Sequence, residues 1–402
     1  MSPRPLRVAL TAVGSEGDVA PVIAIGSRLA ERGHEVGVVV LDEFAHLVEA
    51  AGLRPQPISG GAASMWPDVP ALRWVALAQP GLMYATMLAT FRRLAPRTNS
   101  ALLLAAEGAD VIVTGLTTRG AGGALAAATG AAHATVLYAP LLPASERAST
   151  ALGQPVLTHA TSRAMWAMTR GLSAAHTSDM TRRVGHSPRP GQLLVATSPV
   201  VSPSAPEWPT DATQVGWIRS TAGRSPMPDE VRRFLDADAP PVVMTFGSCP
   251  VVTPERDRAL FVEAARRAGV RLILPDGGPP VAGDDVLATG PVDFAELLPR
   301  VGAIVHHGGA GTTYTALAAG APAVVVPHLG DQGYYARRVA ELGAGPRGIP
   351  RWRLTARALA DRVRQALDGR SASGARAVAS RLAGEDGAAV VADRVERLAS
   401  AP

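Results

Sequence analysis

AIVHHGGAGTTYTALAAGAPAVVVP, residues Ala303 to Pro327, predicts a strand, a glycine-rich turn, a helix and a second strand. The apolar stretch Ala303 to Val305 is typical of a buried strand, and Gly308, Gly309 and Gly311 then open the turn. Small residues let a phosphate approach the backbone, and the N–H groups and dipole of the following helix attract its charge. The segment therefore predicts an α/β unit with a phosphate site at the carboxyl end of its strand.

Two histidines lie where this strand meets the turn. His307, at the lip of the turn, can donate a ring N–H to a phosphate oxygen, whereas His306 lies one residue deeper in the strand. A packing turn with satisfied histidines is the alternative, but the flanking strand and helix favour phosphate binding. The predicted phosphate-site residues are His306, His307, Gly308, Gly309, Ala310, Gly311 and Thr312.

The same order of strand, turn, helix and strand occurs in Arg7 to Leu41 and in Pro240 to Pro275. Helices are predicted from Val19 to Arg32 and from Pro254 to Ala268, and the sheets should be parallel. We therefore expect an α/β fold of two doubly wound, Rossmann-like domains. Ligands are expected in a central cleft between them, at the carboxyl ends of the strands.

A stretch from Ser198 to Pro228 is dense in Pro, Ser and Thr, as linkers are. It predicts an N-terminal domain of residues 1–219, a linker of residues 220–228 and a C-terminal domain of residues 229–385. A C-terminal helix in residues 386–402 closes the chain.

The composition of the 402 residues excludes several kinds of site. All 39 basic residues are arginine, so a lysine nucleophile, a pyridoxal phosphate Schiff base and a Walker A loop are excluded. The single cysteine, Cys249, excludes an internal disulfide. The net charge is +5, but the arginines are scattered rather than clustered, which argues against a nucleic-acid partner.

The apolar stretch after Arg7 has only the length of a strand, so no targeting segment is expected. The longest apolar run, Ala316 to Pro327, is too short to span a bilayer. We expect a soluble, cytoplasmic protein without stable membrane insertion, either a monomer or a homodimer.

A second motif, PHLGDQ, places Asp331 and Gln332 after a strand and before a helix. An adjacent carboxylate and amide can bind the vicinal hydroxyls of a sugar. Alternatively Asp331 caps the helix, and both roles can hold together. Gly247 and Ser248, at the end of the first strand of the second domain, are a weaker candidate for phosphate binding.

A third motif, GSEGDVAP, follows the first strand of the chain. Gly14 and Gly17 keep this loop open, and Asp18 lies where a helix starts. In isolation Asp18 is most simply a helix N-cap, and the helix dipole should lower the pKa of its carboxyl.

Two segments, about residues 60–100 and 140–190, are apolar with few charges. Their aromatic side chains predict either ordinary helix core or the wall of a pocket for a large apolar ligand, and core is favoured for most of them. The candidates for an acceptor-binding wall are Trp66, Tyr84 and Trp166.

Together the motifs resemble the inverting glycosyltransferases of the GT-B fold, specifically the family-1 antibiotic and sterol glycosyltransferases of actinobacteria, which include the vancomycin-type transferases. HHGGAGT is similar to the family's donor-diphosphate motif, whose phosphate-binding histidine matches His307. PHLGDQ is similar to its sugar-binding motif, GSEGDVAP to its N-terminal catalytic loop and TQVGWI to its domain connector. The resemblance spans nearly the full chain, except for about residues 55–200.

The resemblance implies roles for further residues. TGPVDFAELLPRV resembles the segment whose backbone, near Val292, pairs with the donor nucleobase, and Gly14 and Ser15 join the donor-binding set. Asp18 matches the catalytic base, which is histidine in many relatives and aspartate in vancomycin-type enzymes. Thr315 stands where many users of UDP-sugars carry a ribose-binding glutamate, which slightly favours a dTDP-deoxysugar over a UDP-hexose.

The resemblance thus implies an inverting transferase that needs neither a cofactor nor a metal. It would move a sugar from a nucleotide diphosphate to a hydroxyl of an apolar natural-product acceptor, with Asp18 as general base. The alternatives are a nucleotide-sugar epimerase on the same fold and a catalytically silent partner that activates another transferase.

Overall fold

The chain forms two units, Met1–Ala222 with Glu385–Pro402, and Gly223–Gly384. Each unit is built on one sheet, and the strand pairs within both sheets are parallel. The computed structural model describes residues 4–60, 80–142, 159–220, 226–237, 239–247, 254–328 and 330–400.

In the described part of the first unit the strands follow the order β3-β2-β1-β4-β5-β6-β7 across the sheet. These strands are β1 (Arg7–Ala12), β2 (Glu35–Leu41), β3 (Arg54–Ile58), β4 (Val111–Thr114), β5 (Ala132–Leu137), β6 (Gln192–Val195) and β7 (Ala212–Gln214). The α-helices are α1 (Glu16–Glu31), α2 (Ala45–Ala50), α3 (Pro80–Ala105), α4 (Arg119–Thr129), α5 (His159–Gly171), α6 (Ala174–Val184) and, at the end of the chain, α14 (Gly387–Ala399).

The second unit has the strand order β10-β9-β8-β11-β12 among its described residues. Its strands are β8 (Val242–Met244), β9 (Leu272–Pro275), β10 (Val286–Thr289), β11 (Ala303–His306) and β12 (Ala323–Val325). Its α-helices are α7 (Asp229–Asp236), α8 (Pro254–Ala268), α9 (Phe294–Leu297), α10 (Ala310–Ala318), α11 (Gln332–Glu341), α12 (Ala356–Ala366) and α13 (Gly369–Leu382).

The central strand β1 shows why both faces of the first sheet are covered. Its residues are buried after the first, and successive side chains point to opposite faces. Leu10 packs in a core cluster that includes α1 and α14, whereas Ala9 packs in a second cluster that includes α3 and α4. A strand buried on both faces is mostly apolar, and β1 follows this pattern from Val8 to Ala12 except at Thr11.

In both sheets the strand order reverses beside the first strand of the unit. β1 lies between β2 and β4, and β8 lies between β9 and β11. At such a reversal, the segments that follow the two adjacent strands run to opposite faces of the sheet. A crevice therefore opens at the carboxyl ends of these two strands. The turns after β1, β8 and β11 therefore occupy the ligand-binding positions of their sheets.

The last helix, α14, packs into the core of the first unit. Val391 and Val395 are fully buried there with residues of α1 and β1. Glu385, just before this helix, accepts hydrogen bonds from Ser198 Oγ at 2.6 Å and from the backbone N–H of Trp217 at 2.9 Å. The chain thus returns to its N-terminal unit after completing the second.

Several predicted boundaries differ from the structure. Helix α1 begins three residues before the predicted Val19, and the proline-rich stretch from Ser198 contains β7, which pairs with β6. The helix predicted from Pro254 to Ala268 is α8 and has the predicted bounds. Among the described residues, no helix has both the length and the apolar character needed to cross a membrane.

Glu385→Ala should lower the free energy of unfolding by about 1–3 kcal/mol, because it removes an acceptor from the buried Trp217 N–H and Ser198 hydroxyl. Urea unfolding followed by tryptophan fluorescence measures this loss. Glu49→Ala changes an exposed glutamate of α2 and should stay within about 0.5 kcal/mol of the wild type. A loss no larger than that of this control would contradict the role of Glu385 as a stabilising hydrogen-bond acceptor.

Candidate active site

In the first unit, the loop after β1 carries the Asp18 carboxylate to the place where the strand order of the sheet reverses. Ser15 is the N-cap of α1, and its backbone N–H and Oγ both donate to Asp18 Oδ2, at 2.8 and 3.1 Å. Asp18 is the third residue of the helix, so the prediction that it is the N-cap was wrong. Its carboxylate instead reaches back over the first turn to the cap residue.

Burial raises the pKa of the Asp18 carboxyl, although the two hydrogen bonds from Ser15 act to lower it. The predicted lowering by the helix dipole was therefore wrong, because loss of hydration outweighs the favourable contacts of the charge. Tyr138 follows β5 close by, and burial together with the Asp18 charge raises the pKa of its phenol. The result is a carboxylate that is more basic than an exposed aspartate.

A buried pair of threonines beside this loop connects two strands of the sheet. The sequence patterns did not identify this pair. Thr11 Oγ1 of β1 lies 2.7 Å from Thr118 Oγ1 at the start of α4, and it accepts the Gly115 N–H at 3.1 Å. These contacts tie the turn after β4 to β1. The two central strands are thereby held together where they end, next to the loop that carries Asp18.

In the second unit, the turn after β11 is shaped by glycine and by a buried histidine. The His306 ring is fully buried, and its Nδ1 accepts the Gly308 N–H at 3.1 Å. Gly308 has a φ of +93°, and a β-carbon there would lie 2.6 Å from Val325 Cγ1. Both the backbone conformation and the tight packing therefore require glycine.

His307 is half-buried beside this turn and is neutral near pH 7, because burial lowers the pKa of its ring to about 4. A neutral ring still carries one N–H that can donate a hydrogen bond. Gly247, which follows β8, lies next to the ring, since a β-carbon there would be 3.7 Å from His307 Cε1. A β-carbon at Gly309 would be 2.5 Å from His307 Nε2.

Helix α10 begins directly after His307 and its glycines. Gly309 is the N-cap, and the first intrahelical bond is from the Thr313 N–H to the Gly309 carbonyl at 3.0 Å. The three preceding amides, of Ala310, Gly311 and Thr312, have no acceptor within the helix. Gly311 is exposed, and a side chain there would meet no protein atom within 4 Å. The start of α10 is thus suited to an anion.

Asp331 and Gln332 lie next to each other at the start of α11 but differ in their surroundings. Asp331 is half-buried at the N-cap position, and its carboxylate makes no capping hydrogen bond. Gln332 is 6% exposed, and its Oε1 accepts the His328 N–H at 2.8 Å. The Gln332 oxygen therefore holds the loop before the helix, whereas the Asp331 carboxylate is not used as a cap.

Sequence reasoning missed a group of side chains behind the His307 turn. The His328 ring donates from Nδ1 to the Val326 carbonyl at 2.7 Å and meets the edge of Phe246, with ring centres 4.5 Å apart. The guanidinium of Arg351 lies 5.2 Å from the Phe246 ring centre and pairs with the buried Asp257. These contacts position the segment that leads to Gly247.

The remaining candidates are placed as follows. Val292, the candidate for nucleobase pairing, is half-buried between β10 and α9. Tyr84 of α3, a candidate for the acceptor wall, donates a hydrogen bond from its hydroxyl to the Met168 carbonyl at 2.9 Å. Trp166 is 8% exposed in a core cluster with Leu137 and Val195. Ser248 and Trp66 lie outside the described residues.

The part of the chain that the structure describes contains no group of three or more His, Cys, Asp or Glu side chains suited to a metal ion.

Comparison with known families gives matches at both ends of the chain. Residues 8–128 match the glycosyltransferase family 28 N-terminal domain, and residues 281–398 match the C-terminal domain of the erythromycin biosynthesis protein CIII type. The chain is 33% identical over 424 residues to O-mycaminosyltylonolide 6-deoxyallosyltransferase of Streptomyces fradiae, which covers 97% of this chain and 94% of that protein. It is 32% identical to vancomycin aglycone glucosyltransferase of Amycolatopsis orientalis, over 85% of each chain.

Solved structures share the fold. Glycosyltransferase VinC, solved in complex with dTDP, superposes with a TM-score of 0.73 at 20% identity, covering 98% of this chain and all of that one. The calicheamicin glycosyltransferase CalG4 superposes with a TM-score of 0.70 at 24% identity, covering 99% and 100%. The predicted GT-B fold is thereby confirmed.

Two glycine substitutions in the turn before α10 should have opposite consequences. Gly308→Ala should lower the free energy of unfolding by at least about 1–2 kcal/mol, because it forces a left-handed backbone and a clash with Val325. Gly311→Ala should leave stability unchanged, since its side chain points into open space, yet weaken binding of dTDP or UDP about tenfold. Thermal unfolding and calorimetric titration measure the two effects. Equal loss of stability in both variants would contradict this account of the turn.

Proposed function

The chain belongs to the antibiotic-type glycosyltransferases represented by these relatives, and from this membership we propose its particular reaction. It transfers a sugar from a nucleoside diphosphate to a hydroxyl of an apolar natural product, with inversion at the anomeric carbon. The observation that carries the proposal is the half-buried Asp18 carboxylate, which lies where the strand order of the first sheet reverses and has a raised pKa. A proton acceptor placed where a ligand binds is what the acceptor hydroxyl requires.

The donor diphosphate binds at the start of α10 in this proposal. The amides of Ala310, Gly311 and Thr312 donate to its oxygens, and the neutral His307 ring donates a further hydrogen bond. The leaving group gains negative charge as its bond to the sugar breaks, so donors that are already in place stabilise the transition state more than the ground state. Gly247, beside the His307 ring, leaves room for the phosphates.

The transfer step balances as a single displacement. The acceptor oxygen forms a bond to the anomeric carbon while the bond from that carbon to the diphosphate oxygen breaks, and the diphosphate leaves with the electron pair. The hydroxyl proton passes to the Asp18 carboxylate. Because the acceptor oxygen becomes acidic only as the new bond forms, the raised pKa of Asp18 assists a late proton transfer.

The nucleotide is dTDP or UDP in this proposal, and the acceptor is a polyketide-like or peptide aglycone. The names of the two reported relatives specify O-mycaminosyltylonolide and vancomycin aglycone as acceptors, and VinC was solved with dTDP. Thr315 bonds its hydroxyl back to the Gly311 carbonyl at 2.9 Å, so it offers the ribose no carboxylate. This supports the preference for a dTDP-deoxysugar.

A nucleotide panel followed by a transfer assay tests the proposal. dTDP or UDP should raise the free energy of unfolding by about 2.7 kcal/mol at a concentration about 100 times its Kd, and GDP should not. Transfer from dTDP-glucose and UDP-glucose to O-mycaminosyltylonolide and vancomycin aglycone is then followed by mass spectrometry. Failure of every nucleoside diphosphate to stabilise the protein would refute the donor site.

Asp18→Asn should separate catalysis from folding. Asparagine keeps the shape and can still accept from Ser15, but it cannot take a proton, so transfer should fall by roughly 10²–10⁴-fold while dTDP binding persists. Steady-state kinetics and calorimetric titration measure the two effects. Transfer within about tenfold of wild type would show that the base lies elsewhere.

The same variant has a defined effect on stability. Since the pKa of Asp18 is raised in the folded protein, folding favours the protonated carboxyl, and the stability associated with that proton is lost as the pH rises above 3.8 through the folded-state pKa. The stability of Asp18→Asn relative to wild type should therefore increase as the pH rises from 3.8 towards neutrality. A relative stability that falls over this range would contradict a raised pKa.

We also propose that transfer needs no divalent metal. The helix start of α10 and His307 supply the donors that a metal ion would otherwise provide to the diphosphate. EDTA should leave the initial rate of transfer unchanged, as measured by nucleotide release. A loss of rate that magnesium restores would overturn this part of the proposal.

A further inference from the structure

We propose that Gly14 and Ser15 are positioning residues for the Asp18 carboxylate. They hold Oδ2 against the backbone of the loop and so direct the other oxygen, Oδ1, to the acceptor hydroxyl. The inference rests on the proposed role of Asp18 as the base, and it changes the expected role of the pair from donor contacts to supports of the catalytic group.

The Asp18 carboxylate occupies the space that a side chain at residue 14 would fill. A β-carbon at Gly14 would overlap Asp18 Oδ2 and lie 2.5 Å from Asp18 Cγ. The φ of Gly14 lies outside the left-handed region, so backbone conformation alone does not call for glycine here. Space for the carboxylate is what the glycine provides, and Gly14 is itself buried.

Ser15 holds one oxygen of this carboxylate. Its N–H and its Oγ donate to the same oxygen, Oδ2, at 2.8 and 3.1 Å. With Oδ2 held by two donors, the geometry assigns the proton-accepting role to Oδ1. A carboxylate fixed in this way loses little freedom when the acceptor arrives, which is the benefit of pre-organisation in catalysis.

The charge of Asp18 depends on the same bonds. Both bonds from Ser15 lower the pKa of this carboxyl, against the raising effect of burial. Burial and the Asp18 charge both raise the pKa of the Tyr138 phenol, which therefore stays neutral near pH 7. The bonds from Ser15 therefore favour the ionised carboxylate, which is the form that can accept a proton, and partly oppose the effect of burial.

A helix cap without a catalytic consequence is the competing explanation, since Ser15 is also the N-cap of α1. The two explanations differ in what they predict for Asp18. A cap stabilises the helix but sets neither the pKa of the base nor the rate of transfer, whereas a positioning pair sets both. The pKa of Asp18 and the transfer rate therefore decide between them.

The first experiment is a carbon-13 NMR titration of the Asp18 carboxyl in the intact protein without ligand. The resonance is assigned by its loss in Asp18→Asn. Ser15→Ala removes the Oγ donor and should move the Asp18 pKa upward, whereas Ser15→Thr keeps the hydroxyl and should restore the wild-type value. An Asp18 pKa in Ser15→Ala equal to that of wild type would overturn the proposal.

The second experiment compares two glycines of the same loop. Gly14→Ala should reduce kcat for transfer by about 10–100-fold and leave dTDP or UDP affinity unchanged, because its methyl group displaces the Asp18 carboxylate and the proposal gives Gly14 no contact with the donor. Gly17→Ala is the matched control, since a β-carbon there meets Ser15 Oγ at an ordinary 3.5 Å. A Gly14→Ala variant that transfers as fast as Gly17→Ala would refute the positioning role.

The two proposals fail in different ways. If Asp18→Asn retains transfer, the base has been assigned wrongly, whatever the titrations show. The other outcome is that Asp18→Asn loses transfer while Ser15→Ala leaves the Asp18 pKa unchanged and Gly14→Ala leaves kcat unchanged. In that case Asp18 acts as the base without the support of Gly14 and Ser15. Should Gly14→Ala fail to fold, the titration of Ser15→Ala still decides the question.

Discussion

The contact between the Asp18 carboxylate and the backbone of Gly14 and Ser15 links the sequence, the fold and the proposed chemistry of the first unit. The loop can close over the carboxylate only because residue 14 has no side chain. The closed loop starts α1 at Glu16 and leaves Asp18 in the first turn, where burial raises the pKa of its carboxyl. Buried ionisable groups are costly, and they concentrate where a protein needs a tuned acid or base.

The second unit uses the same place in its sheet for a different purpose. Both sheets reverse their strand order beside their first strand, so in each of them a turn enters a helix at the edge of a crevice. In the first unit that turn holds the half-buried Asp18 carboxylate, whereas the turn after β11 presents the amides of α10 and the neutral His307 ring. In the proposed mechanism, one topology thus supplies a proton acceptor in one unit and a set of hydrogen-bond donors in the other.

Much of this arrangement could be predicted from local sequence patterns, because strand, turn and helix signals follow one another within short segments. Gly247 was a weaker candidate for phosphate binding in the sequence, and it lies beside His307 because the neighbouring parallel strands β8 and β11 end at the same edge of the sheet. Properties that depend on distant packing were not predictable. The upward pKa shift of Asp18 comes from burial, and Arg351 pairs with Asp257 across 94 residues of sequence. The return of α14 to the first unit and the burial of Gln332 also depend on tertiary contacts that no local pattern encodes.

The most direct test of the central claim compares catalysis with the titration of Asp18 in the wild-type protein. The pH dependence of kcat/KM for transfer reports the essential groups of the free enzyme, and the carbon-13 signal of Asp18 reports its own protonation. If Asp18 is the base, kcat/KM rises with pH, and its acidic midpoint coincides with the Asp18 midpoint, above the ordinary pKa of 3.8. A rate that stays constant while Asp18 titrates would show that this carboxylate does not take the proton.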